Sequence, residues 1–336
     1  MAPIRTLLLV AVLGGLASVA AAQPPDDIPL LRQYTQSNPP FLRFRIVEGR
    51  LTLACRNFSP FQTPRSYGLG RRETISLGSE NGRPTLRYER TTPNEQLTVN
   101  VAGTSGKVNI SRVPRGKSAF AAVEFQQSPD EKTTLTLGAG EHRRGFQAAN
   151  LWQLAIVQPK ECRENLFPLL DLLRPDWKMA TMVGRVETSL LAYAREDATA
   201  DRARWATLVA QLADEQFSKR EAADRALLAG GASALNYLRE FDFNRLDAEQ
   251  QFRVTRIIRK LAGRSEDDSA DAAAMSLLRN SEVWLALLGR PEKATRQTAA
   301  RQLAALLNKP IDVDPAAEPS TQEAKRERLR TLIEKK

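Results

Sequence analysis

The sequence predicts a segregated α+β protein: an antiparallel β-sandwich or barrel-like domain over residues 40–158, then an all-α repeat domain over 161–336. Apolar residues recur at every second position, in short runs, up to Ile156. Turn formers break those runs at about ten-residue spacing, the pattern of an antiparallel sandwich or barrel. From Glu161 the apolar period becomes helical and stays so.

Residues 1–22 read as a signal peptide. Arg5 precedes an apolar run from Leu7 to about Val19, and Ala20 and Ala22 give a small-x-small cleavage pattern before Gln23. A membrane span needs roughly 20 apolar residues, which this run does not reach; an uncleaved anchor is the alternative. Cleavage after Ala22 would make the mature chain secreted or periplasmic, with no transmembrane segment. Residues 23–39 form a Pro-rich lead-in.

Strands follow in order. Leu42, Phe44 and Ile46 share a face opposite Arg43 and Arg45, and Leu51, Leu53 and Cys55 share the next. The same alternation places strands at Ile75/Leu77, Leu86/Tyr88, Leu97/Val99/Val101, Val108/Ile110, Ala121/Val123/Phe125, Leu135/Leu137 and Trp152/Leu154/Ile156. Between them lie "SENGRP", "TTPNEQ", "GTSG", "SPDEK" and "LGAGE". Helical stripes then appear: Leu166/Leu169/Leu170/Leu173, Trp205/Leu208/Val209/Leu212 and Val254/Ile257/Ile258/Leu261, the last with Asp247 as N-cap and Gly263 as stop.

Residues Arg220–Leu227, "REAADRAL", align with Arg296–Leu303, "RQTAARQL", at a shift of 76 residues. Arg220 meets Arg296, Ala223 meets Ala299, Arg225 meets Arg301 and Leu227 meets Leu303; each follows a tryptophan helix, from Trp205 and Trp284. Such units have an apolar face they cannot cover alone, so they stack. Ala222, Ala223, Ala226 and Leu227 are expected on the buried stripe. Arg220, Glu221, Asp224 and Arg225 are then the solvated side, with i,i+4 pairs Arg220–Asp224 and Glu221–Arg225 worth about 0.2–0.5 kcal/mol each. The stretch "DEQFSKREAADRALLAGGASALNYLREFDFNRLDAEQQFRVTRIIRKL" resembles HEAT-like segments of uncharacterised secreted planctomycete-type proteins, as does "WLALLGRPEKATRQTAARQLAALLNKPIDVDP". The resemblance covers 161–336 only; it implies an α-solenoid architecture and supplies no catalytic residues.

Charge and cysteine content narrow the partners. The chain carries a net +10, with 22 basic against 15 acidic residues in 23–180 and 26 against 24 in 181–336. The basic excess of the first half favours anionic partners. Arg43, Arg45, Arg71, Arg72, Arg87, Arg143 and Arg144 are candidate anion-binding residues: aligned on neighbouring strands, they would suit sulfate, carboxylate or phosphate groups; dispersed, they would be solvated cations. Nucleic acid is disfavoured by the export signal and by the lack of an aromatic stacking motif. Cys55 and Cys162 are the only cysteines. In an oxidising compartment they are a candidate disulfide, whose closed loop of about 106 residues would be worth on the order of 4–5 kcal/mol; two separate buried thiols are the alternative.

Catalytic signals are sparse. His142 is the only histidine and lies in "GEHRRGF", so Ser-His or Cys-His chemistry would have to use it. No metal site and no cofactor is expected: zinc would need His142, both cysteines and a carboxylate, and neither a P-loop nor a nucleophile elbow occurs. Asp267, Asp268 and Asp271 in "SEDDSAD" lack the spacing of a calcium loop and read as a helix entrance. Asp312 and Asp314 read as a linker. Glu73, Glu89, Glu124 and Glu141 are the carboxylates of the β domain, and glycosidase-type chemistry needs only two of them at about 5–9 Å.

The leading expectation is a non-catalytic extracytoplasmic interaction or scaffold protein that binds another envelope protein through a helical-repeat surface. The alternative is an acidic-polysaccharide module using the β-domain arginines, and the third a carboxylate-dependent hydrolase.

Overall fold

The computed structural model describes residues 25–37, 40–55, 59–103, 106–118, 120–129, 131–195, 198–262, 267–317 and 319–334. The predicted signal segment lies outside them. A short helix, α1 (Pro29–Thr35), leads into a hairpin of β1 (Leu42–Val47) and β2 (Arg50–Cys55). Then come β3 (Phe61–Ser66), β4 (Arg72–Glu80), β5 (Arg83–Thr91), β6 (Glu95–Ala102), β7 (Lys107–Pro114), β8 (Val123–Gln127), β9 (Thr133–Leu137) and β10 (Arg144–Ala148). These eight form one antiparallel sheet in plain chain order, with β3 and β10 at its ends.

The predicted alternation is what builds the sheet. Ile75, Tyr88, Val99, Ile110, Phe125 and Leu135 face one another across six strands, and all six are fully buried. Burying an Ile, Val or Phe contributes about 1.5–3 kcal/mol, and cross-strand packing adds to it. One residue along, Thr74, Glu89, Thr98, Ser111, Glu124 and Thr136 form a polar row on the opposite face. The β1–β2 turn uses Glu48 and Gly49, and the β4–β5 turn Asn81 and Gly82, all at positive φ, as two-residue hairpins of this twist require.

The remaining chain is helical: α2 (Leu151–Val157), α3 (Pro159–Glu161), α4 (Phe167–Leu173), α5 (Met179–Arg195), α6 (Ala198–Gln211), α7 (Phe217–Ala229), α8 (Gly231–Glu240), α9 (Ala248–Ala262), α10 (Ala270–Leu277), α11 (Ser281–Leu287), α12 (Lys293–Leu307) and α13 (Glu323–Glu334). A π-turn at Cys162–Leu166 joins α3 to α4, with the Phe167 amide donating to the Cys162 carbonyl. Pro168 explains it: proline has no N–H to give the Glu164 carbonyl, and its ring crowds that group.

Antiparallel sheet thus precedes helices, as predicted, but several local expectations fail. Trp152, Leu154 and Ile156 lie on helix α2, not on a strand. Leu151–Ile156 are all buried and Asn150 caps the helix through the Gln153 amide, so the run is buried on every side and its period of two does not mark a strand. The strands β3 and β10 carry no apolar alternation and went unread. Of the two alternatives for the cysteines, the bridge is not formed: Cys55 and Cys162 are not joined to each other. Cys162 lies buried in the π-turn with its Sγ against the Leu154 carbonyl, 3.7 Å away.

One apolar core spans the sheet, α1, the β1–β2 hairpin, α2, α4, α5 and α10–α13. A second, smaller core belongs to α6–α9 and centres on Trp205, Val209, Leu212, Leu227, Leu238, Val254 and Ile257. The sheet ends at Ala148 and helix begins at Leu151, so the predicted break at 158/161 falls after α2, inside the helical part and within the larger core. The hairpin is clasped from far along the chain. Asp268 accepts the amides of Glu48 (2.8 Å) and Gly49 (2.6 Å) and the Trp152 indole N–H (2.7 Å), while Asp267 accepts the Ile46 amide and pairs with Arg174.

Candidate functional site

The seven predicted arginines are not gathered. Arg43 and Arg45 lie on β1, in the separate hairpin. Arg71 pairs with Glu73 at 3.0 Å, Arg87 with Glu89 at 2.6 Å and Arg143 with Glu124 at 3.5 Å. Arg72 begins β4 and Arg144 begins β10, six strands apart at nearly 5 Å per strand. Arg71, Arg87 and Arg143 each have a carboxylate within reach and the set spreads over two sheets, so it offers no continuous anion-binding stripe.

The acidic candidates are likewise accounted for. Asp267 and Asp268 hold the hairpin, and it is Ser269 that caps α10 by accepting the Ala272 amide. Asp312 pairs with Lys325, and Asp314 accepts the Ala316 amide. Glu141 and His142 sit in an exposed single turn before β10. Among the described residues no three His, Cys, Asp or Glu side chains form a group suited to a metal ion. Burial pushes the Cys162 thiol up to about 12, which keeps it protonated at neutral pH.

The feature that stands out lies on α6–α9. Glu221 and Asp224 of α7 reach Arg253 (2.9 Å) and Arg256 (2.8 Å) of α9, both at a separation of 32 residues, so the two helices run parallel with α8 between them in the chain. This corrects the expected charge pattern: the carboxylates pair across helices rather than with Arg220 and Arg225, and Asp224 is buried. Ala222 is exposed and Ala226 half-buried, while Ala223 and Leu227 are buried as expected. The physical reason is that two cations on α9 reward turning the acidic side inward, and alanine offers little apolar area to oppose it. Arg253, itself buried, also binds Glu249 at 2.6 Å. Its hydrogen bond to Glu221 is the main cause holding that carboxyl below the usual range.

Arg220 folds back to donate to the carbonyls of Asp214 (2.7 Å) and Glu215 (3.0 Å), and its guanidinium lies 5.6 Å from the centre of the Phe217 ring. Arg296, its counterpart in the 76-residue overlay, does the same to Arg290 (3.0 Å) and Pro291 (2.5 Å). Along the seam, Phe217 lies one turn from Arg220 and Glu221, and Phe252 one turn from Glu249 and Arg256; each phenylalanine is 64% exposed. Together α7 and α9 carry seven basic against three acidic residues, in a half of the chain that is otherwise close to neutral. Phe217 and Phe252 are thus exposed aromatic rings on two helices of net positive charge, and aromatic residues are enriched at protein contacts. Sequence reading passed over both rings, although Phe252 falls outside the Val254/Ile257/Ile258/Leu261 stripe, which was the available signal.

No protein-family model, no curated protein and no solved structure matches this chain. Among the described residues no helix is long and apolar enough to cross a membrane.

Proposed function

We propose that the chain is a non-catalytic, extracytoplasmic scaffold that docks another envelope protein on the seam between α7 and α9. The single observation that supports it is the pair of exposed rings, Phe217 and Phe252, flanking the Glu221–Arg253 and Asp224–Arg256 ion pairs. Leaving two phenylalanines in water forgoes about 1.5–3 kcal/mol each when a partner could cover them, and the surrounding cations select a partner with an acidic, partly apolar face. In this reading α6–α9 is a pair of stacked HEAT-like hairpins, which the parallel course of α7 and α9 supports, and the β1–β2 hairpin with the larger sheet forms an open, sandwich-like layer.

A photo-crosslinking side chain placed at Phe217 or Phe252 tests the proposal in the cell envelope. One discrete adduct is expected at both sites, persisting in moderate salt and absent when the label is moved to Thr98 on the polar sheet face. Labels at the two phenylalanines that give no adduct, or the same smear as Thr98, overturn the reading.

A further inference from the structure

The sheet holds a second, unrelated site, already filled by the chain itself. Glu73 and Arg90 are fully buried, Glu95 is 1% exposed and Arg112 5%. Four ionisable side chains at that depth are costly unless paired and hydrogen-bonded, and apolar replacements of similar volume are often as stable, so the network is weak evidence of a purely stabilising role. What they hold is the main chain of residues 26–30. Arg90 Nη1 donates to the carbonyls of Asp26 and Asp27, the latter at 2.7 Å, and Arg71 Nη2 donates to Asp27 at 2.7 Å. Glu95 accepts the Asp26 amide at 3.1 Å and Glu73 the Leu30 amide at 2.9 Å. One contact uses a side chain of the segment: Thr92 Oγ1 donates to Asp26 Oδ2 at 3.0 Å.

The receiving groups are fixed by one another without help from the segment. Glu95 is held by Arg90 and by Arg112 Nε at 2.7 Å, and the Arg112 guanidinium stacks 3.7 Å from the centre of the Phe120 ring. Glu73 is held by Arg71 and by the Tyr88 hydroxyl at 3.1 Å. Three arginines therefore face two glutamates, and the carboxylate of Asp26 closes the balance. Beyond the polar contacts Ile28, Leu30 and Leu31 are fully buried in the core. This is the layout of peptide recognition: paired donors and acceptors read the backbone, and apolar side chains anchor it.

We infer that Arg71, Glu73, Arg90, Glu95 and Arg112 form a peptide-binding site, and that residues 26–31 are its removable ligand, an acidic residue followed by a short aliphatic helix start. The same site accepts that segment from a separate peptide of this sequence. The inference does not depend on the α7–α9 surface.

The test uses the full chain with a protease site in the connection between Gln36 and Phe41. After cleavage the amino-terminal peptide is expected to stay bound, and a dye-labelled peptide of residues 23–37 to exchange into the site, read by fluorescence anisotropy. Changing the ligand leaves the protein intact. N-methylation of the Leu30 amide removes the donor to Glu73 and should weaken binding roughly tenfold or more. A peptide with Leu30→Asp and Leu31→Asp should not bind measurably. A peptide with Asp27→Asn keeps every backbone contact and should bind within about threefold of the original. Unfolding on cleavage, no exchange over days, or indifference to N-methylation would each overturn the inference.

Discussion

Asp268 carries three hydrogen bonds at once, two from hairpin amides and one from Trp152. Asp268→Asn exchanges a charged acceptor for a weaker one and turns an amide N–H towards donors; the loss should be about 1–3 kcal/mol, visible as a lowered midpoint in urea with an unchanged slope. Glu221 sets a pH dependence. Its folded carboxyl lies below its ordinary value of 4.5, chiefly through the Arg253 hydrogen bond, so the unfolded chain binds protons more readily. The stabilisation is complete above the ordinary glutamate value and disappears as pH falls through the lower folded value. Acid titration followed by amide exchange in α7 and α9 should therefore show the Glu221 contribution fading below about pH 4.5, and Glu221→Gln should flatten that part of the curve. Phe217→Ser and Phe252→Ser should each leave the unfolding free energy within about 0.5 kcal/mol of the parent while weakening the adduct formed by a label at the other position.

At the scale of elements, close approach decides α7 and α8. Gly230 lies between them, and a methyl group there would meet the Trp205 ring at 2.4 Å. Gly230→Ala should cost about 1–3 kcal/mol by overpacking, confined to α6–α9 in hydrogen exchange. The strands β1 and β4–β9 were legible because each has one wet and one dry face, so burial and alternation coincide; β2 was legible by its alternation alone, since only its Leu51 is buried. Helix α2 was not, since it is dry on every side, nor were the end strands β3 and β10, whose Pro64 and Gly145 accompany mostly polar neighbours. The 76-residue overlay was legible down to one side chain: Arg220 and Arg296 grip the carbonyls six and five residues before them. The inward turn of Glu221 and Asp224 was hidden, because their partners Arg253 and Arg256 lie one helical hairpin away and no local spacing points to them.

Across the whole molecule, two apolar cores share one chain, and α8 against α10 is a principal contact between their helices. The larger core unites the sheet with helices from both before and after α6–α9. Amide exchange should accordingly fall into two groups, with α6–α9 opening at lower free energy than the central strands β5–β7; a single uniform protection class would contradict it. The basic excess of the first half, plain in the sequence, did not translate into a site, because Arg71, Arg87 and Arg143 found carboxylates near them while Arg90 and Arg112 went inside. Composition reports how many charges a half contains and is silent on which of them the fold turns inward.

The clasp on the β1–β2 turn has a temporal consequence. The amides of Glu48 and Gly49 wait for a carboxylate about 220 positions further along, so a growing polypeptide must have been made through residue 268 before the β1–β2 hairpin is fastened. Chains halted before residue 267 would leave that turn unfastened, which makes nascent-chain arrest on either side of this point a sensitive gauge of when the sheet half matures.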